Sequence, residues 1–301
     1  MLAHAAHALL ENLARLLEAH LSPTCGQLGT EPNLRCLVLG TWYLGIMEIL
    51  IARHLSRPED GFGLQHALLE EVAAGSRGSA ALLWTSSRYI GATYPETRLP
   101  GFSEATRLAE KASFPVLVRN SGGGAVAANK GSISFSLTFP VEDLRRGLYD
   151  RYTEGAELVV AALSKLGVAA EAGEVEGEFC PGAYSVRSGG YSGIKIAGLA
   201  QRVTRRAARV EALILVTKTA KLRAVLELFY GALGLPFRLE SVADLPGADV
   251  SQAVGALADR VRERYGATEA EVGEKTLQRA RSLRERWRAT PGASRPVSGN
   301  L

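Results

Sequence analysis

Cys180 and Lys195 have the residue types of a nucleophile and a cationic helper. Cys180 lies in the segment Glu178–Gly182 (EFCPG), where a strand is expected to break at a Pro-Gly turn and present the thiol at the end of a sheet. Lys195 is the one charge within the apolar stretch 193–200. A lysine at a cleft can hold a nearby thiol as the reactive thiolate and offer its ammonium to a developing oxyanion. A buried inert thiol and an outward-facing strand lysine are the structural alternatives.

A run of three glycines, Gly122 to Gly124, separates two strand-like segments. It belongs to the loop Arg119–Ala125 (RNSGGGA), where the absence of side chains lets backbone N–H groups approach a ligand. The loop matches neither the GxxxxGK[ST] phosphate loop nor a GxGxxG turn that opens a helix. Three consecutive glycines cost conformational entropy that a plain turn does not need, so a binding role is favoured over a flexible hairpin turn.

The histidines and cysteines exclude several kinds of catalytic site. All five histidines precede residue 67, so a Ser-His-Asp or Cys-His pair confined to the strand-rich centre is excluded. The three cysteines, Cys25, Cys36 and Cys180, have no CxxC spacing and are odd in number, so neither a zinc knuckle nor a disulfide framework is indicated. The HExxH motif is absent, and we expect no metal. A thiol with a lysine remains the best pair of nucleophile and helper.

The elements that must position these residues form a strand-rich centre between helical ends. Residues 132–139 alternate apolar side chains with Ser and Thr, which predicts a strand with one apolar and one hydroxyl-bearing face. Strands are also predicted at 80–85, 88–93, 114–119, 125–128, 184–187, 194–200 and 210–216, and around Gly177. Helices are predicted at 64–74, at 141–165 with Leu144 facing inward, around 254–265, and at 268–287. This order favours an α+β fold on a mixed or antiparallel central sheet flanked by helices, and not a Rossmann fold.

Breaks along the chain predict four parts. Residues 1–60 are expected to form a helical appendage of unknown role, 61–240 the catalytic domain, 241–290 C-terminal helices packed on it, and 291–301 a loose tail. The apolar run Cys36–Ala52 contains Glu48 and is too short to cross a bilayer. A buried helix or a pair of strands is therefore expected there.

Composition limits the class of protein. The chain has 301 residues, of which 47% are hydrophobic and 22% charged, as in a soluble globular protein. The N-terminus shows no secretory signal, and with the odd cysteine count this favours a cytoplasmic location. A net charge of +4 is far below that of a dedicated nucleic-acid binder.

Arginines are concentrated near the end of the chain: Arg279, Arg281, Arg284, Arg286 and Arg288. A solvated helix face is the favoured interpretation, because only Trp287 among the neighbouring residues offers an aromatic platform for bases. The same patch could dock an acidic protein.

Three segments together resemble the signature blocks of the lipoate-protein ligase and octanoyltransferase catalytic domain. The blocks are 119–126 (RNSGGGAV), 179–186 (FCPGAYSV) and 193–202 (GIKIAGLAQR), in matching order and at matching intervals. The resemblance spans roughly residues 64–235, and the combination is far more specific than any one block. It implies the α+β fold that this family shares with biotin-protein ligase.

The resemblance also implies a tunnel for an octanoyl or lipoyl chain, with Lys195 at the acyl carbonyl. Substrate contacts are then expected from Arg119, Ser121, Gly122, Gly123, Gly124, Ala125, Ala197, Gly198 and Ala200. Cys180 matches the position at which branches of the family transfer octanoyl groups through a cysteine thioester. The segment is most similar to the amidotransferase that moves octanoate from the glycine-cleavage H protein to the lipoyl domains of 2-oxoacid dehydrogenases. That route needs no cofactor, nucleic acid or membrane.

Other functions remain open beside this one. An ATP-dependent lipoate or biotin ligase would form an acyl-adenylate, and a non-catalytic acyl- or lipoyl-domain-binding protein would leave Cys180 inert. Asn120 stands where the family usually has the second arginine of a pair, and Ser134 stands where an asparagine is often found in the next strand. These two departures favour the non-catalytic binding protein. A sister branch takes octanoate from acyl carrier protein. Acyl-carrier and lipoyl domains are usually acidic, so the late arginines could help docking.

Overall fold

Two β-sheets organise residues 47–289, the part of the chain that the computed structural model describes. The strands are β1 (Glu48–Leu55), β2 (Ala80–Ser86), β3 (Tyr89–Thr93), β4 (Val116–Arg119), β5 (Val126–Ala128), β6 (Ser132–Pro140), β7 (Glu171–Ala172), β8 (Val186–Ser188), β9 (Ile194–Val203), β10 (Ala207–Leu215) and β11 (Thr268–Ala270). Within residues 47–289, eight strands form one sheet in the order β11-β1-β2-β6-β10-β9-β8-β7, and β4-β3-β5 form a second. In the larger sheet β1 is parallel to both of its neighbours, whereas the other pairs are antiparallel.

Helices cover both faces of the larger sheet. They are α1 (Pro58–Ala73), α2 (Phe102–Lys111), α3 (Leu148–Lys165), α4 (Ala220–Leu233), α5 (Val250–Tyr265), α6 (Glu274–Ser282) and α7 (Arg284–Trp287). Single 3-10 turns lie at Glu96–Arg98 and Leu239–Ser241. The mixed sheet flanked by helices confirms the α+β fold expected from the sequence.

The alternation in β6 decides which side of the sheet holds the polar site. Its apolar side chains, such as Phe135, pack in a core with Val159 of α3 and Val254 of α5. Its hydroxyl side chains are buried on the opposite face, where the Ser134 hydroxyl is 3.3 Å from the Tyr89 hydroxyl of β3. One face of the sheet therefore packs into a hydrophobic core, where burial of each large apolar side chain stabilises the fold by about 1.5–3 kcal/mol. The other face can line a site.

The first strand lies inside the stretch that the sequence assigned to an N-terminal appendage. β1 pairs with β2 from Glu48↔Ala80 onward, and α1 begins at Pro58. The boundary expected at residue 60 is therefore wrong for residues 48–60, because Ile49 and Leu50 are fully buried in the sheet. The rest of the expected appendage and the expected tail at 291–301 lie outside the described residues.

Two expectations in the middle of the chain are also wrong. The helix predicted at 141–165 begins only at Leu148, after Gly147 with a left-handed φ of 71°, and Leu144 is 46% exposed. No strand forms around Gly177, whose φ of 61° turns the chain instead, and β8 begins only at Val186. Both differences arise at glycines whose positive φ angles are incompatible with a strand or a right-handed helix.

The final helix predicted at 268–287 is divided. Residues 268–270 form β11, parallel to β1, and α6 starts after Gly273. Helix α6 then packs closely on α1, where a Cβ on Gly63 would lie 2.4 Å from the Ala280 carbonyl oxygen. Edge-strand pairing and this close helix contact, both long-range, override the local helical pattern. Among residues 47–289, no helix combines the length and the apolar character needed to span a membrane.

Candidate active site

Cys180 lies on the loop between β7 and β8, in a strained backbone conformation. Its φ of 45° is left-handed, which costs a residue with a side chain roughly 1–2 kcal/mol. Tyr230 of α4 holds it there: its hydroxyl accepts the Cys180 N–H at 2.7 Å and donates to the Ala125 carbonyl at 2.8 Å. Burial raises the pKa of Tyr230, so this hydroxyl keeps its proton. The cysteine loop is therefore tied to the end of the glycine loop.

The Cys180 thiol faces the glycine loop. Sγ lies 3.1 Å from the Gly124 backbone nitrogen, which donates to it, and 3.6 Å from Nη2 of Arg119. Gly123 has a φ of 91°, and a Cβ there would lie 2.7 Å from Sγ. Glycine is thus required at position 123 by both conformation and space. Two donors, one of them charged, therefore point at the sulfur, which is the arrangement expected around a nucleophilic cysteine.

Lys195 is fully buried under the cysteine loop. Its Nζ donates to the carbonyl oxygens of Phe179 and Cys180, each at 2.8 Å, and lies 3.4 Å from Oε2 of Glu178. Burial lowers the pKa of Lys195, while the charges of Cys180 and Glu178 oppose that shift. The ammonium therefore anchors the loop that carries the thiol, and its contact with an acyl carbonyl stays a prediction.

Glu178 is a buried member of the site that the sequence reasoning missed. It accepts hydrogen bonds from the Gly182 N–H at 3.1 Å and from the Ser185 hydroxyl at 2.8 Å, and it is the acidic partner of Lys195. The carboxylate thus closes the Pro-Gly turn around Cys180. The sequence did not single it out, because Glu171, Glu174 and Glu176 precede it in the same acidic segment.

A buried ion network holds Arg119 in place. Its guanidinium donates to Ser121 Oγ at 2.9 Å and to the Gly124 carbonyl at 2.8 Å, and lies 3.5 Å from Glu211 Oε1. Glu211 also accepts hydrogen bonds from Ser121 Oγ and, at 2.8 Å, from Arg209 Nε. Burial opposes its ionisation, but Arg209 and Arg119 outweigh burial and hold the pKa of Glu211 below its ordinary value. The sequence signal, a lone carboxylate in the strand at 210–216, was overlooked.

Glu96 fixes the other side of the glycine loop. Its carboxylate accepts the Ala125 N–H at 2.6 Å and the Thr93 N–H at 2.8 Å. It also lies against Gly124, where a Cβ would be 3.4 Å from Oε1. The loop beside the thiol is thus held by Glu96, Arg119 and Tyr230, and is not a freely moving turn.

A small cavity of about 40 Å³ lies beside the thiol. The structure brings Cys180, Arg119, Gly198 and Ala200 together in its wall, with these further lining residues: Phe62, Gln65, Trp84, Tyr89, Val126, Ser134, Leu199, Glu211, Ala212 and Leu213. Ser121 and Ala125 are buried next to it, whereas Gly122 and Gly123 are exposed. Ala197 is not brought there, because it packs in the core that faces α3 and α5. The volume holds a few water molecules, so an eight-carbon chain requires the apolar wall to open.

His66 approaches the glycine loop without joining the thiol. Its Nδ1 is 3.4 Å from Nδ2 of Asn120, and its Nε2 is 3.3 Å from Oε1 of Glu70. Arg209 Nη2 also donates to the side-chain oxygen Oδ1 of Asn120, at 3.2 Å. Asn120, which replaces the family's second arginine, therefore links the loop to α1.

The chain is similar to proteins of one family over most of the described region. The model of the lipoyl protein ligase A/B catalytic domain matches residues 57–253. An octanoyl-[GcvH]:protein N-octanoyltransferase of Geobacillus kaustophilus is 29% identical over 206 residues, which cover 64% of this chain and 72% of that protein. The Bacillus velezensis protein of the same name is 34% identical over 58% of this chain and 60% of its own length.

A lipoyl-[GcvH]:protein N-lipoyltransferase of Listeria monocytogenes is 28% identical over 47% of this chain and 50% of that protein. The matches to the Bacillus and Listeria proteins thus span 60% or less of those relatives.

Solved structures of lipoate-protein ligases share the fold. A putative lipoate protein ligase from T. acidophilum with bound lipoic acid has a TM-score of 0.65 at 19% identity, and covers 80% of this chain and 96% of its own. Lipoate-protein ligase A bound with ATP has a TM-score of 0.65 at 20% identity, over 80% and 95% of the two chains. At this identity the likeness establishes the arrangement of elements and not the reaction.

Proposed function

The chain belongs to the lipoyl protein ligase A/B catalytic domain family, and from that premise we propose that it transfers octanoyl or lipoyl groups between proteins through a thioester on Cys180. The observation that carries the proposal is the position of the Cys180 sulfur, 3.1 Å from the Gly124 amide nitrogen and in the wall of the cavity. The donor is a carrier protein, and the acceptor is the target lysine of a lipoyl domain of a 2-oxoacid dehydrogenase. The names of the relatives favour the glycine-cleavage H protein as the donor.

The reaction exchanges one amide for another in two steps. In the first, Cys180 Sγ attacks the carbonyl of the acylated donor lysine, the C–S bond forms, the C–N bond breaks, and the thiol proton ends on the released amine. In the second, the acceptor lysine amine attacks the thioester, a new C–N bond forms, the C–S bond breaks, and the amine proton returns to sulfur. An amide is broken and an amide is formed, so the exchange needs no ATP.

The groups around the thiol supply charge stabilisation for both steps. Arg119 and the Gly124 N–H stabilise the thiolate that attacks and later leaves. Backbone amides of the glycine loop and the ammonium of Lys195 are assigned to the tetrahedral oxyanion. Lys195 donates to two carbonyl oxygens of the cysteine loop, so meeting an oxyanion requires it to release one of them.

Intact-protein mass spectrometry tests the proposal. The purified protein is mixed, without ATP, with octanoylated H protein and separately with octanoyl-acyl carrier protein. Because an amide is more stable than a thioester, the acyl-enzyme accumulates less from the first donor, and the carrier thioester serves as the stronger acylating probe. We expect one added octanoyl group on the wild type, none on Cys180→Ser, and retention in the control Cys25→Ser/Cys36→Ser.

Transfer to a lipoyl domain at the wild-type rate by Cys180→Ser would refute the thioester route. Attachment of free octanoate only when ATP is added would assign the chain to the ligases instead. If Cys180 is inert and the protein shows neither transfer nor ATP-dependent ligation, the result would indicate a non-catalytic binding protein.

A further inference from the structure

The arginines of the C-terminal helices are largely committed to ion pairs within the protein. Arg279 pairs with Glu70 at 2.8 Å, and Arg284 pairs with Asp60 at 2.6 Å. Arg288 contacts Glu59 of α1 at 3.1 Å. These contacts attach α6 and α7 to α1, so a protein partner would have to compete with them. If an acidic partner binds this protein, as considered for the late arginines, the positive charge that attracts it must come from elsewhere.

That source is a groove of about 480 Å³ at the turn between β9 and β10, which we call the arginine groove. Its lining residues include Arg202, Arg205, Arg206 and Arg286. Among the described residues, Arg202, Arg205 and Arg206 have no carboxylate within 4.0 Å of the guanidinium. The groove contains one carboxylate, Glu70, which is already paired with Arg279.

Like charges are gathered in the arginine groove. Partial burial and the nearby charges of Arg209 and Arg286 lower the pKa of Arg202. His66 in the same wall adds no charge at neutral pH, because burial and Arg286 lower its pKa to about 4. A partner that brings carboxylates would relieve the repulsion.

The arginine groove shares a wall with the cavity of the thiol. Gln65 lines the cavity, and His66, the next residue of α1, lines the groove. Asn120 contacts His66 at 3.4 Å, and its neighbour Arg119 is 3.6 Å from Cys180 Sγ. A protein seated at the groove would therefore hold a flexible acylated side chain close to the thiol.

We propose that the arginine groove docks an acidic surface of the acyl-bearing carrier protein, with Arg205 and Arg206 as the main contacts. The proposal rests on the proposed acyl transfer and names the surface that recognises the donor. The chemistry recognised is a cluster of carboxylates, which guanidinium groups bind in bidentate geometry.

A second basic groove, of about 1080 Å³, provides a matched control. It is lined by Arg57, Arg88, Lys130, Lys218, Lys221 and Arg288, among others. It lies where β3 and β4 begin, beside Arg88 and Pro115, whereas the thiol contacts Arg119 at the end of β4. A carrier docked there would be separated from Cys180 by the length of the small sheet.

The test measures binding of octanoylated H protein by surface plasmon resonance at two ionic strengths. We expect Arg205→Glu/Arg206→Glu to raise Kd at least tenfold, equivalent to about 1.4 kcal/mol, and the charge-matched Lys130→Glu/Lys221→Glu to bind as the wild type does. All four side chains are exposed, and thermal unfolding verifies that both variants fold. Added salt should weaken wild-type binding and leave the arginine variant less affected.

A Kd for the arginine variant within twofold of the wild type would overturn the proposal, and so would an equal loss in the lysine variant. Transfer of the octanoyl group to a lipoyl domain is measured in parallel for the wild type and for Cys180→Ser. If only the arginine variant loses binding while Cys180→Ser transfers at the wild-type rate, the thioester route is refuted and the docking surface stands. If Cys180→Ser is inactive while both charge variants bind alike, the docking surface is refuted and the thioester route stands.

Discussion

Replacing Tyr230 by Phe should loosen the cysteine loop without disturbing the packing of α4. The change removes one hydroxyl that pairs two buried backbone groups, the N–H of Cys180 and the carbonyl of Ala125. Each buried group left unpaired costs about 1–3 kcal/mol. Cys180 also loses the contact that holds its left-handed φ of 45°. The free energy of unfolding should therefore fall by at least about 2 kcal/mol.

For a domain of this size, that loss corresponds to a decrease in Tm of about 4 °C or more. Calorimetry of wild type and variant measures it directly. Tyr149→Phe is the control, because Tyr149 is 69% exposed and should change Tm little. Released from Tyr230, the loop should also expose the thiol, so Cys180 should react faster with iodoacetamide while acyl transfer slows. An unchanged Tm together with an unchanged alkylation rate would refute the assignment of Tyr230 as the support of this loop.

Further predictions concern the glycine loop, the buried ion pair and the histidine. Gly123→Ala should abolish acyl transfer, because its Cβ would lie 2.7 Å from Cys180 Sγ. Gly255→Ala in α5, where a Cβ meets open space, should retain transfer in the same mass assay. Lys195→Met should lower the free energy of unfolding in urea by about 3–5 kcal/mol, because it leaves the buried Glu178 carboxylate without its cation. Adding Glu178→Gln should recover part of the loss, and no recovery would contradict the pairing. Burial, followed by Arg286 and opposed by Glu70, lowers the pKa of His66 from 6.5 to about 4. Between these pH values the unfolded chain binds a proton that the folded protein does not, so stability should decline as pH falls from 6.5 to 4, and His66→Gln should flatten that decline in pH-dependent unfolding.

Local patterns in the sequence were enough to predict the fold class and to select candidate residues for one site. The alternation at 132–139 placed a hydroxyl face opposite an apolar face, and β6 has this arrangement. The type and setting of Cys180, Lys195 and the three glycines pointed to one site, and in the structure the thiol meets both the loop and the lysine-anchored turn. Such features were predictable because they depend on residues a few positions apart.

The residues that complete the site were decided by contacts between distant parts of the chain. Tyr230 supports a cysteine fifty positions earlier, and Glu96 holds Ala125 across the small sheet. Nothing around Tyr230 in the sequence distinguishes it from other apolar-face residues of a helix. Its role follows from the packing of α4, which a local pattern does not contain.

The C-terminal arginines show the same division between sequence and structure. Their concentration was visible in the sequence, but whether they are available to a partner depends on the acidic residues of α1, more than 200 positions earlier. Tertiary contacts pair Arg279 and Arg284 with those carboxylates and leave the positive charge at the β9–β10 turn. The sequence by itself determined which side chains could do chemistry and the class of fold that carries them. Only the tertiary structure decided which charges cancel and which remain, because charge pairing depends on distances of a few ångströms between segments far apart in the chain.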